Sequence, residues 1–320
     1  MQRRQLGSSD LRVSTVALGC WPIAGMTTLH TNRSDSLKTV RAAIDSGINF
    51  LDTAYAYGIS GESEQMIGDV IGDCRDEVVI ATKGGLHRVG AAQRHDGRRE
   101  TLHRECDESL RRLKTDCVEL YYLHAPDPQT PIAESASAIA ELIQAGKVQT
   151  AGASNLTLPQ LQEFHTVCPL TAVQPHFNML QQEIQADIVP WCVEHQISIC
   201  CYWPLMKGLL AGKLNRDHVF EAGDGRARYP MFQGEEWQKN QDFLDELRQI
   251  AAAEDVTVSA LVIAWTVQQP GITSALCGAK RDWQIQETAA AMSVSLSEQT
   301  LQQISAALRR RGPTVSRGAV

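Results

Sequence analysis

Short apolar runs alternate with amphipathic segments along nearly the whole 320-residue chain. Each run has the length of a buried strand, and the segment after it repeats its apolar residues at helical spacing. After the run 16–18, for example, Ser34 is predicted to cap a helix whose apolar stripe includes Leu37, Val40 and Ile44. The same pattern predicts eight strands, at 16–18, 48–51, 78–82, 118–123, 147–153, 170–174, 197–201 and 272–276.

Eight strand–helix units in a chain of this length predict an α/β protein folded as a closed (β/α)8 TIM barrel, with a single domain over residues 1–320. A doubly wound open sheet is the alternative, which is disfavoured because no Gly-x-Gly-x-x-Gly follows the first strand. Turn residues at 7–10 predict a small N-terminal β-hairpin before the barrel. Further along, the pattern predicts a helix over 184–195, a long loop after strand 7 over 206–240, a helix over 243–253 and a flexible tail over 309–320.

The overall charge and the cysteines restrict the classes of function. The formal net charge is −7 and the Lys and Arg residues are dispersed, which argues against a nucleic-acid partner. Nine cysteines without a Cys-x-x-Cys pair are typical of reduced, buried thiols. No apolar run is long enough to cross a membrane, and the first residues lack the apolar core of a signal peptide. These features together predict a cytoplasmic protein.

Four polar residues stand at or after the ends of predicted strands, where parallel folds place their chemistry. Asp52 ends the second strand, Tyr57 lies five residues later, Lys83 ends the third strand and His124 ends the fourth. An ammonium near Tyr57 is expected to lower the pKa of its phenol, so that Tyr57 exchanges a proton with substrate. Asp52 would hold Lys83 charged, and His124 would hydrogen-bond a substrate oxygen. These four residues suit a reaction in which a substrate oxygen is protonated as a hydride reaches the neighbouring carbon, or the reverse reaction. The alternative interpretation is that Asp52 and Lys83 form only a structural ion pair.

Two other reaction classes compete with hydride transfer. A Schiff-base aldolase would use Lys83 as its nucleophile, but it needs a neutral amine and Asp52 favours the charged form. A metal-dependent barrel is disfavoured because the nine histidines include no His-Glu-x-x-His and no carboxylates gather at several strand ends. We therefore predict no metal site.

The motifs around these residues resemble those of the aldo-keto reductases, in order along nearly the whole chain. Within that family the chain is most similar to bacterial reductases that resemble potassium-channel β-subunits. The motifs that carry the resemblance include Asp52-x-x-x-x-Tyr57-Gly58, Ala81-Thr82-Lys83, Leu123-His124-x-Pro126-Asp127, Gly152-Ala153-Ser154-Asn155, and Gly278-Ala279-Lys280-Arg281.

The resemblance implies a barrel with a hairpin across its base, a bound NADP(H), and a small carbonyl or alcohol as substrate. It implies that Asp52, Tyr57, Lys83 and His124 are catalytic and that Trp21, Tyr57 and His124 contact the substrate. The residues implied to bind the cofactor are Asp52, Ser154, Asn155, Gln174, Tyr202, Pro204, Leu205, Lys207, Gly208, Leu210, Gly278, Lys280, Arg281, Gln284 and Glu287. An NADP(H)-binding sensor or regulatory subunit with little turnover is the alternative.

Cofactor preference has support from the residues themselves. Lys280 and Arg281 follow the eighth strand, where barrels often bind phosphate, and two cations suit a 2′-phosphate; this favours NADP over NAD. Arg226 and Arg228 in the long loop either attract an anionic substrate or are solvated loop charges, and we favour the second. The chain departs from the family pattern at Ala125, His176, Phe177 and Thr288, of which Thr288 puts one adenine contact in question. The sequence predicts neither the oligomeric state nor the direction of reaction.

Overall fold

The computed structural model describes residues 3–25, 29–89 and 92–315. Eight parallel strands close into a barrel, because the last strand pairs with the first along Ala275–Gly278 and Val16–Gly19. This pairing confirms the predicted (β/α)8 barrel and excludes the open sheet. The barrel strands are β3 (Val16–Gly19), β4 (Phe50–Asp52), β5 (Val79–Gly84), β8 (Val118–Leu123), β9 (Val148–Ser154), β10 (Leu170–Gln174), β11 (Ser198–Cys201) and β12 (Ile272–Gly278).

Helices surround the barrel and bury their apolar stripes against its outer face. They are α1 (Arg33–Asp45), α2 (Glu62–Val70), α3 (Arg99–Leu113), α4 (Ile132–Gln144), α5 (Leu158–Val167), α6 (Ile188–Glu194), α7 (Gly234–Ala253), α8 (Val258–Gln268), α9 (Asp282–Ala289) and α10 (Glu298–Arg311). No single described helix is both long and apolar enough to cross a bilayer; only α7 and α8 together, across their 89° bend, pass that test of length and composition.

The predicted N-terminal hairpin, β1 (Arg3–Gln5) with β2 (Arg12–Ser14), covers one end of the barrel. Leu6 in its turn is fully buried within the cluster that fills the barrel interior. Gly7 has a φ of +55°, and a Cβ there would lie 2.3 Å from the carbonyl oxygen of Thr171. Only glycine fits this contact. With its base covered in this way, the barrel presents its other mouth to ligands.

A second hairpin, β6 (Leu86–Val89) with β7 (Ala92–His95), follows β5 and was not predicted. The backbone N–H of Asp96 donates to the carbonyl of Gly85 at 3.0 Å and closes the base of the hairpin, and His87 Nδ1, 2.9 Å from Glu105, joins the hairpin to α3. The hairpin therefore forms a fixed wall at the open mouth. Its polar, Arg-rich sequence lacks the apolar alternation that identifies a half-buried strand.

Three predicted helix boundaries were wrong. Helix α1 is capped by Asn32 rather than Ser34, because the Asn32 side chain accepts the backbone N–H of Asp35. Helix α7 begins at Gly234, so the irregular segment after β11 ends before 240. The helix predicted over 184–195 is a short 3₁₀ turn followed by α6. Apolar periodicity alone does not report where such a cap or turn ends a helix.

The flexible tail was also predicted too early. Residues Arg309–Arg311 continue α10, and Arg311 is buried. Its guanidinium pairs with Glu236 and donates to Asn240 Oδ1 at 2.8 Å, which joins the last helix to α7. Residues 316–320 of the predicted tail lie outside the described residues.

Because the Arg311–Glu236 pair is largely shielded from water, we expect Arg311→Ala to lower the free energy of unfolding by about 3 kcal/mol. The neighbouring Arg310 pairs with Glu246 at the surface, so Arg310→Ala serves as the matched control and should change stability little. Urea unfolding of the three proteins measures both effects. Equal stability of the two variants would show that the buried pair does not hold α10.

Candidate active site

Four polar side chains converge at the open mouth of the barrel. Asp52 is the last residue of β4, Lys83 lies near the end of β5, and His124 directly follows β8. Tyr57 lies in the turn between β4 and α2. Because the carboxyl ends of parallel strands face the same mouth, residues far apart in sequence meet there. The structure thus brings together the four residues that the sequence singled out.

Lys83 is completely buried and is bound on three sides. Its Nζ donates to Asp52 Oδ1 at 2.6 Å, to the carbonyl of Thr53 at 2.9 Å and to the Tyr57 hydroxyl at 3.3 Å. Burial acts to lower the pKa of Lys83, but the charges and hydrogen bonds of Asp52 and Tyr57 outweigh it and leave that pKa raised. Three acceptors for three ammonium hydrogens describe a charged lysine. This arrangement disfavours a Schiff-base nucleophile.

Asp52 connects Lys83 to the far side of the barrel. Its Oδ1 accepts from Lys83, and its Oδ2 accepts from Gln174 Nε2 at 2.7 Å. Burial raises the pKa of Asp52, while the Lys83 charge and these two hydrogen bonds oppose the rise. Because both oxygens are engaged, the carboxylate is held in one orientation. The Gln174–Asp52 bond was not foreseen; no spacing in the sequence signals a contact 122 residues apart.

Tyr57 lies between two other rings. Its ring meets Trp21 edge-on at a centroid distance of 5.0 Å and His124 at 5.8 Å. Burial raises the pKa of Tyr57 more than the nearby Lys83 charge lowers it. The lowered phenol pKa expected from the sequence is therefore not what the structure shows. Tyr57 is held protonated, with an ammonium in place to stabilise the phenolate that forms if the proton leaves.

His124 is buried and uncharged. Burial, together with the charge of Lys83, moves the pKa of His124 well below its usual value. Its Nδ1 is a buried atom with no hydrogen-bond partner among the described residues. Its backbone N–H donates to the carbonyl of Gly84 at 2.9 Å, which fixes the start of the loop after β8. A neutral imidazole has one N–H to donate, so His124 can bind an oxygen without supplying a full charge.

A chain of amides and hydroxyls continues from this centre. Asn155 Nδ2 donates to the carbonyl of His124 at 3.0 Å and to Ser154 Oγ at 3.1 Å, and Ser154 Oγ donates to the carbonyl of Gln174 at 2.8 Å. The hydroxyl of Tyr202 donates to Asn155 Oδ1 at 2.8 Å. The amide hydrogens of Asn155 are therefore committed within the protein. The hydrogen-bonding groups that remain available at this side of the mouth are amide oxygens, which accept hydrogen bonds.

The loop after β11 turns tightly. Met206, Lys207 and Gly208 have φ values of +44°, +56° and +89°. The backbone N–H groups of Gly208 and Leu210, two residues predicted to bind the cofactor, donate to the carbonyl of Leu205 and so are used by the turn itself. The Lys207 ammonium lies 4.1 Å from the centroid of the Trp203 ring. Pro204 precedes the turn. Of the two loop arginines, Arg228 is exposed, whereas Arg226 pairs with Asp224.

The two cations after β12 are tied to the segment before α1. Lys280 Nζ donates to the carbonyl of Leu29 at 3.2 Å. Arg281 donates to the carbonyl of His30 at 2.8 Å and pairs with Asp35 at 3.0 Å. Gly278 packs closely on Pro22, since a Cβ would lie 2.8 Å from that ring. This region is therefore assembled from the ends of β3 and β12 and the start of α1.

Helix α9 carries the remaining predicted cofactor residues. Gln284 Oε1 accepts the backbone N–H groups of Lys280 and Arg281, so Gln284 caps the start of α9. Glu287 is bound by Lys213 and by the hydroxyl of Ser259. Thr288 is buried, and its hydroxyl donates to carbonyls of its own helix. No motif in the sequence predicted the contact of Lys213 with Glu287.

No group of three or more His, Cys, Asp or Glu side chains in the described parts of the chain has the arrangement of a metal site. The chemistry that the geometry supports is carried by the contact between Lys83 and Tyr57. One buried cation, one neutral phenol and one neutral imidazole suit proton exchange with an oxygen.

Comparison with known proteins places the chain among similar barrels. Residues 15–309 match the model of the aldo/keto reductase family. Aldo-keto reductase YhdN of Bacillus subtilis is 34% identical over 289 residues, covering 89% of this chain and 87% of that protein. The NADH-specific methylglyoxal reductase of Escherichia coli is 31% identical over 314 residues, covering 93% and 95%.

Two solved structures are similar over nearly their whole length. The glycerol dehydrogenase of Gluconobacter oxydans has a TM-score of 0.91 and 32% identity, covering 99% of this chain and 98% of that one. An aldo-keto reductase of Bacillus halodurans, solved in a holo form, has a TM-score of 0.79 and 25% identity, covering 96% of both chains.

The lowered pKa of His124 leads to a direct test. A histidine that is harder to protonate folded than unfolded stays neutral as the pH falls through about 6.5, where a free histidine takes up its proton, so its ring resonances should not shift there. Stability should fall below about pH 6.5, where the unfolded chain takes up the proton. NMR of the ring nitrogens, assigned with His124→Gln, measures this. A titration midpoint between about pH 6 and 7 would contradict a buried, neutral His124.

Proposed function

The chain belongs to the aldo/keto reductase family, and on that premise we propose that it is an NADP(H)-dependent oxidoreductase that interconverts a small carbonyl compound and its alcohol. Family membership makes it a carbonyl-reducing oxidoreductase. The finer proposal concerns the cofactor, the proton donor and the substrate. The observation that carries it is the bonding of buried Lys83 to both Asp52 and Tyr57.

A nicotinamide cofactor fits the residues at the mouth. Both amide hydrogens of Asn155 donate within the protein, and Gln174 donates one of its amide hydrogens to Asp52. The oxygens of these two amides can still accept hydrogen bonds. A carboxamide –NH₂ group needs such acceptors. Tyr202 is held by its hydroxyl, so its ring orientation is set for stacking. When bound, the cofactor supplies the hydride; the side chains of this protein supply binding, orientation and the proton.

Tyr57 is the proposed proton donor. Its raised pKa keeps the hydroxyl protonated until a substrate oxygen becomes basic enough to take the proton. The Lys83 ammonium, 3.3 Å from that hydroxyl, then stabilises the phenolate. Asp52 keeps Lys83 charged and oriented. The reverse reaction uses the same groups with the proton moving back to Tyr57.

His124 is proposed to orient the substrate. The neutral ring offers an N–H to the carbonyl oxygen and does not compete with Tyr57 as an acid. Trp21 packs against Tyr57 and forms an apolar wall beside the reacting carbon. The similar proteins act, by their names, on methylglyoxal and glycerol, so we propose short carbonyl compounds or polyols as substrates.

We propose NADP(H) as the preferred cofactor, although one similar protein is specific for NADH. Lys280 and Arg281 lie next to each other after β12, and the Arg281 guanidinium pairs with Asp35. A 2′-phosphate would replace Asp35 as the partner of the Arg281 guanidinium, whose planar fork suits phosphate.

All nine cysteines are free thiols, and we keep the proposal of a reducing, cytoplasmic location on that ground.

Tyr57→Phe tests the proton donor. Removing the hydroxyl should lower kcat for aldehyde reduction by about 100-fold or more, the usual contribution of a general acid. NADPH binding, measured by fluorescence titration, should remain, because the hydroxyl is assigned to the substrate. Tyr55→Phe is the matched control, since the Tyr55 hydroxyl binds Glu108 and lies outside the proposed site. Wild-type turnover by Tyr57→Phe would refute the assignment.

Arg281→Ala tests the cofactor preference. We expect its affinity for NADPH to fall roughly tenfold, the effect of losing a charge-assisted hydrogen bond, with a much smaller change for NADH. Asp35→Asn frees Arg281 from its carboxylate partner and should shift the preference in the opposite direction. Equal loss of both nucleotides in Arg281→Ala would remove the argument for a 2′-phosphate.

A further inference from the structure

A large cavity opens at Ala125, the residue after His124; none of the four catalytic candidates lines it. Its volume is about 810 Å³, in the range of small-molecule binding sites. It lies between hairpin β6–β7 and the loops that follow β8, β9 and β10. Asn155 and Gln174 border the cavity, and the same two residues bind the backbone of His124 and the side chain of Asp52. A substrate reacting at Tyr57 would therefore have this space beside it.

The two carboxylates that line the cavity, Asp96 and Asp127, already have hydrogen-bond donors within the protein. Asp96 is held by the Arg98 guanidinium through two hydrogen bonds, at 2.8 and 2.5 Å, and this pairing lowers the pKa of Asp96. Asp127 accepts from the backbone N–H of Gly97 at 3.1 Å and from the hydroxyl of Thr130 at 2.7 Å. Asp96 is therefore paired with a cation, whereas Asp127 keeps its charge and is held by neutral donors.

One cation at the cavity has no such partner. Arg94, on β7, forms no ion pair with any described residue and lines the cavity. His176 lines the same space, and burial lowers the pKa of His176, so it is a neutral group able to make hydrogen bonds there. Because Arg98 is paired with Asp96, the guanidinium of Arg94 is the cation at the cavity that is left to pair with an incoming anion.

Arg94 is carried by a fixed element. It is paired in register with His87, whose Nδ1 lies 2.9 Å from Glu105. Glu105 also accepts the backbone N–H of Gly85 at 2.7 Å, and the next residue, His95, donates from Nδ1 to the carbonyl of Pro126 at 2.9 Å. These contacts fasten both strands of the hairpin. The position of Arg94 over the cavity is thus set before any ligand arrives.

We propose that this cavity receives the anionic end of the substrate, a carboxylate or a phosphate carried by a short carbonyl compound, and that Arg94 binds it. The inference rests on the proposed carbonyl chemistry at Tyr57. It assigns Arg94 a role in substrate specificity rather than in the chemical step. A planar guanidinium can bind either anion through two parallel hydrogen bonds.

Paired substrates test the proposal. Glyceraldehyde is compared with glyceraldehyde 3-phosphate, and butanal with succinic semialdehyde, so that phosphate and carboxylate are tested separately. We expect the anionic member of at least one pair to have the lower KM. Arg94→Gln should raise that KM roughly tenfold and leave the neutral substrates unchanged. Arg94→Lys should restore part of the loss, and the wild-type preference should weaken as salt is added.

Arg88→Gln is the matched control, since Arg88 lies on the same hairpin but does not line the cavity. It removes the same charge and should leave all four KM values unchanged. Equal effects of Arg88→Gln and Arg94→Gln, or no preference for either anionic substrate, would overturn the proposal.

A binding measurement separates this inference from the proposed function. Calorimetric titration of the NADP⁺-loaded protein with glycerol 3-phosphate, and with glycerol, requires no turnover. We expect the phosphate compound to bind more tightly and Arg94→Gln to abolish the difference. If no aldehyde is reduced yet this difference is present, the proposed function fails and the anion site stands. If neutral aldehydes are reduced and no anion preference appears in either assay, the anion site fails alone.

Discussion

The burial of one positive charge is the constraint on which the open mouth of the barrel depends. An ammonium removed from water is costly unless it is paired and fully hydrogen-bonded. Lys83 meets that condition only because Asp52, Thr53 and Tyr57 each present an oxygen to it. Those oxygens come from the end of β4 and the turn after it, while Lys83 comes from β5. The requirement to satisfy one charge therefore also fixes the position of the phenol.

The strands around this charge are packed so closely that they leave the site little freedom. A Cβ at Gly84 would lie 2.0 Å from the hydroxyl of Tyr121, and one at Gly152 would lie 2.3 Å from the ring of Tyr122. Because neither glycine has a side chain, a tyrosine of β8 can pack directly against its backbone. Gln174 extends the network across the barrel to Asp52. Asp52, Lys83 and Gln174 are thus held on closely packed strands, to which the turn that carries Tyr57 is attached.

The two sides of the mouth differ in how their charges are satisfied. On one side, Lys280 and Arg281 are held by backbone carbonyls and by Asp35, a partner that an incoming phosphate would replace. On the other side, the fastened hairpin carries Arg94 without an ion-pair partner among the described residues. The first side suits a cofactor whose binding exchanges one anion for another, and the second suits a substrate that brings its own charge.

The sequence by itself determined the barrel and the four residues at its mouth, because apolar periodicity and strand-end positions are local properties that survive in a list of residues. The start of α7, hairpin β6–β7 and the anchoring of Arg311 were decided by tertiary structure. Each depends on contacts between distant segments, such as Arg311 with Glu236. The protonation of Tyr57 was decided in the same way. A neighbouring lysine predicts a lowered pKa, but complete burial outweighs it, and burial exists only once the whole barrel has closed around the phenol.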